Sequence, residues 1–134
     1  MHSTVNSFAR EVGKIFDDYL KPLGLATSYA ELLMILSENE GMQQQEIAGK
    51  MNLAPSTITR FIAKLEKEKL VKKRKKTGRS DVLLTEKGAQ KTEQIKIEYA
   101  RAIEEMEKLL GEKFVATTEQ LLKHGTDQLI QREL

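Results

Sequence analysis

Cysteine is absent from the 134-residue chain. Its absence excludes disulfides, thiolate metal sites, thiol nucleophiles and any switch based on thiol oxidation, and it suits the cytoplasm. The two histidines, His2 and His124, stand far apart in the sequence. Without cysteines beside them they offer no metal-ligand spacing, so no metal or other cofactor is expected. Only two prolines and eight glycines interrupt the chain, which points to a helix-rich fold. No stretch approaches the roughly 20 apolar residues of a membrane span. The longest strongly apolar run is Leu32–Leu36, and Met1–Lys14 contains no apolar signal-peptide segment. A cytoplasmic protein with no membrane partner is expected. Also missing are a Gly-rich phosphate loop, a Walker motif, a nucleophile elbow and a paired His–Cys constellation, so the chain reads as a non-enzyme.

Charge is plentiful: 22 Lys+Arg face 20 Asp+Glu, a net of +2. The balance hides an uneven distribution. Between Gln43 and Lys87 there are 12 bases and five acids, a net of +7, while the remainder carries −5. A basic middle between acidic ends is the electrostatic footprint of a module that binds a polyanion.

The spacing of apolar residues predicts the elements. Val5, Phe8, Val12, Ile15, Phe16 and Tyr19 recur every three or four residues and make one stripe on a helix over Thr4–Leu20. Ser28-Tyr29-Ala30-Glu31 matches a capping box and should open a second helix. A third should run over about Gln43–Met51. After Asn52-Leu53-Ala54, Pro55 suits the first turn of a fourth helix, with Ile58, Phe61, Ile62 and Leu65 facing inward. Two extended runs, Leu70–Lys76 and Ser80–Leu84, joined by the Gly-bearing loop Thr77-Gly78-Arg79, predict a hairpin. Thr85 should cap a long helix to about Leu110, and Thr117 a last one after the break at Gly111.

Helix, tight turn, helix and basic hairpin, in that order, form a winged helix-turn-helix. The fold class is therefore mostly α with a small β-hairpin wing. The outward face of the fourth helix holds Ser56, Thr57, Thr59, Arg60 and Lys64. These are residue types that read base edges or bind phosphates from a major groove. Lys73, Arg74, Lys75 and Lys76 belong to a run whose mutual repulsion is relieved by an anion, so they are expected on DNA phosphates.

The sequence resembles the MarR family of bacterial transcription regulators. The resemblance rests on Gln45-Glu46-Ile47-Ala48, on Leu53 through Ile62, on Leu65-Glu66-Lys67 with Leu70-Val71, and on Leu84-Thr85-Glu86-Lys87-Gly88. It implies one domain over 1–134, with a DNA-binding winged helix at about 26–88 and dimerisation helices at about 1–22 and 89–134. It further implies a homodimer on an inverted-repeat operator in double-stranded DNA, acting as a repressor. Arg79 corresponds to the family's wing-tip arginine, although this chain lacks the aspartate that usually precedes it and has Lys69 where the family usually has glycine. The family's habit of binding aromatic acids implies a small aromatic or anionic effector, for which Phe16, Tyr19 and Tyr29 are the candidate lining residues. The same three rings also suit an ordinary core. Two other functions fit a winged helix. One is a protein-interaction module, which would need an apolar outward face on the fourth helix. The other is a sequence-independent architectural DNA binder, which would bind random and cognate DNA alike.

Overall fold

A computed structural model describes residues 1–134. It contains helices α1 (His2–Leu20), α2 (Thr27–Ser37), α3 (Gln44–Met51) and α4 (Pro55–Lys67). Strands β1 (Val71–Lys76) and β2 (Arg79–Leu84) follow, then helices α5 (Glu86–Leu110) and α6 (Glu112–Gln131). The mostly helical reading and the hairpin are both present.

The core gathers around α2, the least polar helix, which buries Ala30, Leu32, Leu33 and Leu36. Ile47 of α3, Ile58, Ile62 and Leu65 of α4, Val71 and Val82 of the hairpin, and Ile95 of α5 complete it. Ile58, Ile62 and Leu65 are spaced i, i+4 and i+7, so burying them orients α4 and turns Ser56, Thr59, Arg60 and Lys64 to solvent. A second cluster of Phe16, Ala102 and Met106 joins α1 to α5. The α5 seam is Thr92, Ile95, Ala102 and Met106. The Thr92 hydroxyl is buried without cost because it donates to the Gly88 carbonyl at 2.7 Å.

The hairpin register pairs Val71 with Leu84 and Lys76 with Arg79, leaving the two-residue turn Thr77-Gly78. Both turn residues have positive φ, 45° and 74°, the combination that matches the twist of a tight hairpin. Met42 adds a bridge on the free side of β2, exchanging backbone hydrogen bonds with Val82 at 3.1 and 2.7 Å.

Three local expectations are corrected. Ser28 and Glu31 form no capping box: α2 begins one residue earlier, and its cap is tertiary. The Asp17 carboxylate of α1 accepts from the Thr27 hydroxyl at 2.6 Å and the Thr27 amide at 3.3 Å. Thr117 caps nothing, because α6 starts at Glu112, immediately after Gly111 turns at φ 93°. Arg79 is not at the wing tip but opens β2.

The strongest constraint lies where α5 begins. The Thr85 hydroxyl donates to the Lys69 carbonyl at 2.6 Å and accepts from the Gly88 amide at 2.9 Å. The Thr85 amide donates to the Leu70 carbonyl at 3.1 Å. These bonds press the first turn of α5 onto the corner after α4. A β-carbon on Gly88 would lie 1.9 Å from the Leu70 carbonyl oxygen. Lys69, in that corner, has φ 63°, a left-handed conformation that favours glycine. Gly88→Ala should therefore lower stability by roughly 1–3 kcal/mol through backbone displacement, measured as a shifted urea midpoint at fixed protein concentration. An unchanged midpoint would show that this contact is not tight.

Candidate nucleic-acid interface

Two surfaces carry the basic residues, and the core orients both. On α4, Ser56 and Arg60 are exposed and make no hydrogen bond or ion pair with the protein. Thr57 is half-buried. Thr59 is exposed, but its hydroxyl lies 3.0 Å from the Pro55 carbonyl and 3.2 Å from the Gln44 side-chain oxygen. It therefore ties α4 to the first turn of α3. The Lys64 ammonium sits 4.6 Å from the centre of the Tyr29 ring, and that ring packs on Phe61 at 4.4 Å. Ser56 and Arg60 are the residues on this face that are exposed and tied to neither Gln44 nor Tyr29.

The wing divides its charges by strand alternation. Lys72, Arg74 and Lys76 share one face with Arg79 and Asp81; Lys73 and Lys75 occupy the other. All five residues of Lys72–Lys76 are exposed. Asp81 is different: it is buried, and Gly41 covers it so closely that a β-carbon there would lie 3.2 Å from its carboxylate. Arg79 binds one carboxylate oxygen through Nε and Arg74 lies 3.5 Å from the other. Arg79 also reaches Glu46 of α3 at 3.2 Å. Glu46 in turn accepts from the Gln43 amide at the start of α3, at 3.1 Å. A wing arginine is thus fastened to the helix that braces α4.

These ties separate the basic residues into two kinds. Arg74 and Arg79 are held in place by acids, whereas Lys73, Lys75 and Lys76 have no ion partner. Sequence reasoning missed both acids. Asp81 stands two residues from Arg79 on one strand, hence on the same face. Glu46 sits three residues after Gln43, where a carboxylate commonly caps a helix.

Phe16, Tyr19 and Tyr29 are not brought together. Phe16 stacks on Tyr99 at 4.6 Å beside a cavity between α1, α5 and α6. Tyr19 packs against the Phe16–Ala102–Met106 cluster, and Tyr29 faces α4. The cavity also exposes Glu31 and Tyr99, neither of them among the expected lining residues, with the Tyr99 hydroxyl 3.3 Å from the Glu31 carboxylate.

The hydrogen bond from Arg79, its charge and that of Arg74 hold the Asp81 carboxyl below its ordinary pKa. A group lowered on folding stabilises the protein above its unfolded pKa, and that contribution disappears as pH falls through the folded value. The stability difference between the wild type and Asp81→Asn should accordingly be constant near neutrality and shrink below the ordinary carboxylate pKa of about 3.9. Urea unfolding across pH measures it. A difference that grows on acidification would contradict the pairing.

Comparison with known proteins identifies the assembly. The MarR family model matches residues 28–78, which span α2, α3, α4 and the hairpin up to its turn. The chain is 31% identical over 104 residues to YwoH of Bacillus subtilis (strain 168), described as an uncharacterised HTH-type transcriptional regulator. That match covers 76% of each chain. The transcriptional repressor CouR, bound to a 23-mer DNA duplex, superposes with a TM-score of 0.87 at 20% identity, over 94% of this chain and 92% of that one. CouR from Rhodococcus jostii RHA1 bound to p-coumaroyl-CoA gives 0.77 at 22% identity, over 90% and 86%. At such identities the structural likeness establishes the fold, while the curated relative and the family model establish descent. This chain belongs to the MarR family of transcriptional regulators.

Proposed function

We propose that the chain works in the cytoplasm as a homodimeric repressor that reads an inverted-repeat operator and is released by a small molecule. The observation that carries the DNA reading is the pairing of an unpartnered Ser56–Arg60 face on α4 with an adjacent wing bearing five consecutive basic residues. A protein-interaction surface would present apolar residues there; this face is polar and basic. Arg60 is assigned to bases, because its planar fork can bond the O6 and N7 of guanine together. Ser56 and Thr57 lie at the start of α4, where side chains approach base edges. Thr59 and Lys64 support that approach from positions already steadied by Gln44 and Tyr29. Lys73, Lys75 and Lys76 are assigned to phosphates, with Arg74 and Arg79 presented from the Asp81 and Glu46 clamp.

The homodimer follows from α6. This 20-residue helix buries no residue of its own. Leu121, Leu129 and Ile130 are exposed along it, as are Leu109 at the end of α5 and Val5 on α1. Apolar stripes of this extent need a cover, and a second copy supplies the same stripes in return. Two-fold symmetry would then set the two α4 helices about one DNA turn apart. CouR, solved with DNA and with p-coumaroyl-CoA, lends support to a ligand that competes with operator binding in this chain also.

Light scattering at micromolar concentration should report about twice 15.2 kDa; a folded monomer would remove the basis for the inverted repeat. Arg60→Ala should weaken operator binding by about 1–3 kcal/mol per half-site and random DNA much less. Replacing Lys75 and Lys76 by alanine should weaken both and flatten the salt dependence, whose wild-type log–log slope should be roughly −5 to −9 if about 6–10 phosphates are neutralised. Duplex binding over a salt series measures all three. Equal losses on operator and random DNA for Arg60→Ala would make it a phosphate contact.

A further inference from the structure

The cavity beside Phe16 has a charge character opposite to the one the sequence resemblance implies. It occupies about 570 Å³, within the usual range for a small-molecule site. Val12 and Phe16 of α1, Glu31 of α2, Tyr99 of α5 and Phe114 of α6 contribute to its walls. No lysine, arginine or histidine lines it. An adjoining lobe of about 440 Å³ adds one acid and one base, Glu119 and Lys123. Glu31 is therefore the ionisable carboxylate of the inner lobe. One of its oxygens accepts from Tyr99 at 3.3 Å, and the other takes no hydrogen bond from the protein. Nor does a cation of the protein pair with it.

We infer that this cavity binds an apolar monocation, an aryl- or alkylammonium, and discriminates against aromatic carboxylates. An ammonium beside Glu31 supplies both the missing hydrogen bond and the missing countercharge in a partly dry site, where a charge-assisted bond is strong. The rings of Phe16 and Tyr99, tilted against each other with centres 4.6 Å apart, both line the cavity and add π-electron density to attract the same cation. A carboxylate in that place would meet a like charge with no base to offset it. Burial already raises the Glu31 pKa, the direction expected of a carboxylate without a cation. The position also gives the ligand a route to the DNA surface. Glu31 and Tyr29 are two residues apart on α2, and Tyr29 packs on Phe61 of α4 at 4.4 Å. A ligand that shifts Glu31 moves the helix on which α4 rests. The inference rests on the effector reading above and names its chemical class.

The test uses the intact protein and two probes with the same ring and opposite charge, naphthylmethylammonium and naphthoate, with binding followed by calorimetry. The ammonium should bind at least about tenfold more tightly. It should release the wild-type protein from duplex DNA. Glu31→Gln keeps the side-chain size and an acceptor for Tyr99; it should lose the preference while still binding DNA. Naphthoate binding equally well or better would overturn the charge assignment and leave the effector reading standing. If neither probe binds a protein that still binds DNA, both the charge assignment and this cavity's effector role fall, and the DNA-binding reading survives. The wild-type comparison decides the matter even if the variant does not fold.

Discussion

The contact between the start of α5 and the corner after α4 is the constraint on which the architecture turns. Thr85 meets the Lys69–Leu70 backbone through two hydrogen bonds, and Gly88 through one van der Waals approach that admits no side chain. The corner leads directly into β1, and β2 leads directly into α5. The contact therefore closes the hairpin at its base and sets the direction in which the long helix leaves. Helix α4, the hairpin and the long helix α5 are positioned by one joint. The Leu84–Gly88 motif that carries the family resemblance is thus explained without any contact to DNA: its residues are needed where backbone meets backbone.

A second set of ties fixes the basic surface on this frame. Asp81 and Glu46 hold Arg79, and Asp81 also holds Arg74, while Gln44 steadies Thr59. The Glu46–Arg79 pair is exposed on both sides and contributes little to stability. Its effect is geometric, because it limits where Arg79 can stand relative to α3, while Asp81 holds Arg74 and Arg79 on one face of the hairpin. The lysines of β1 are exposed and have no such tie. A pair of acid-bound arginines beside unpaired lysines suits a division of labour between orientation and long-range attraction.

Much of this was legible in the sequence because periodic burial is a strong signal. Ile58, Ile62 and Leu65 announced both the helix and its outward face, and the basic run announced the wing. Capping was not legible at α2 or α6. The Ser28–Glu31 pattern is correct in spacing, yet Asp17, ten residues before Thr27, caps the helix instead. A distant side chain leaves no local pattern. The α5 seam leaves no continuous apolar pattern, since Thr92 and Ala102 are a polar and a small residue whose burial depends on the neighbouring helices. Glu31 is the clearest miss at the cavity. In sequence it is a cap residue on a polar edge; only the packing of α2 against Tyr99 turns it into a carboxylate within an apolar hollow.

The account depends on α4 reading sequence from a symmetric pair of protomers. Selection of bound fragments from a pool of random duplexes, at fixed salt, tests that most directly. The prediction is enrichment of an inverted repeat whose half-sites lie about one helical turn, roughly 10–10.5 base pairs, from centre to centre. Recovery of unenriched DNA, bound as tightly as any selected fragment, would contradict it and leave a basic protein that holds DNA without reading it.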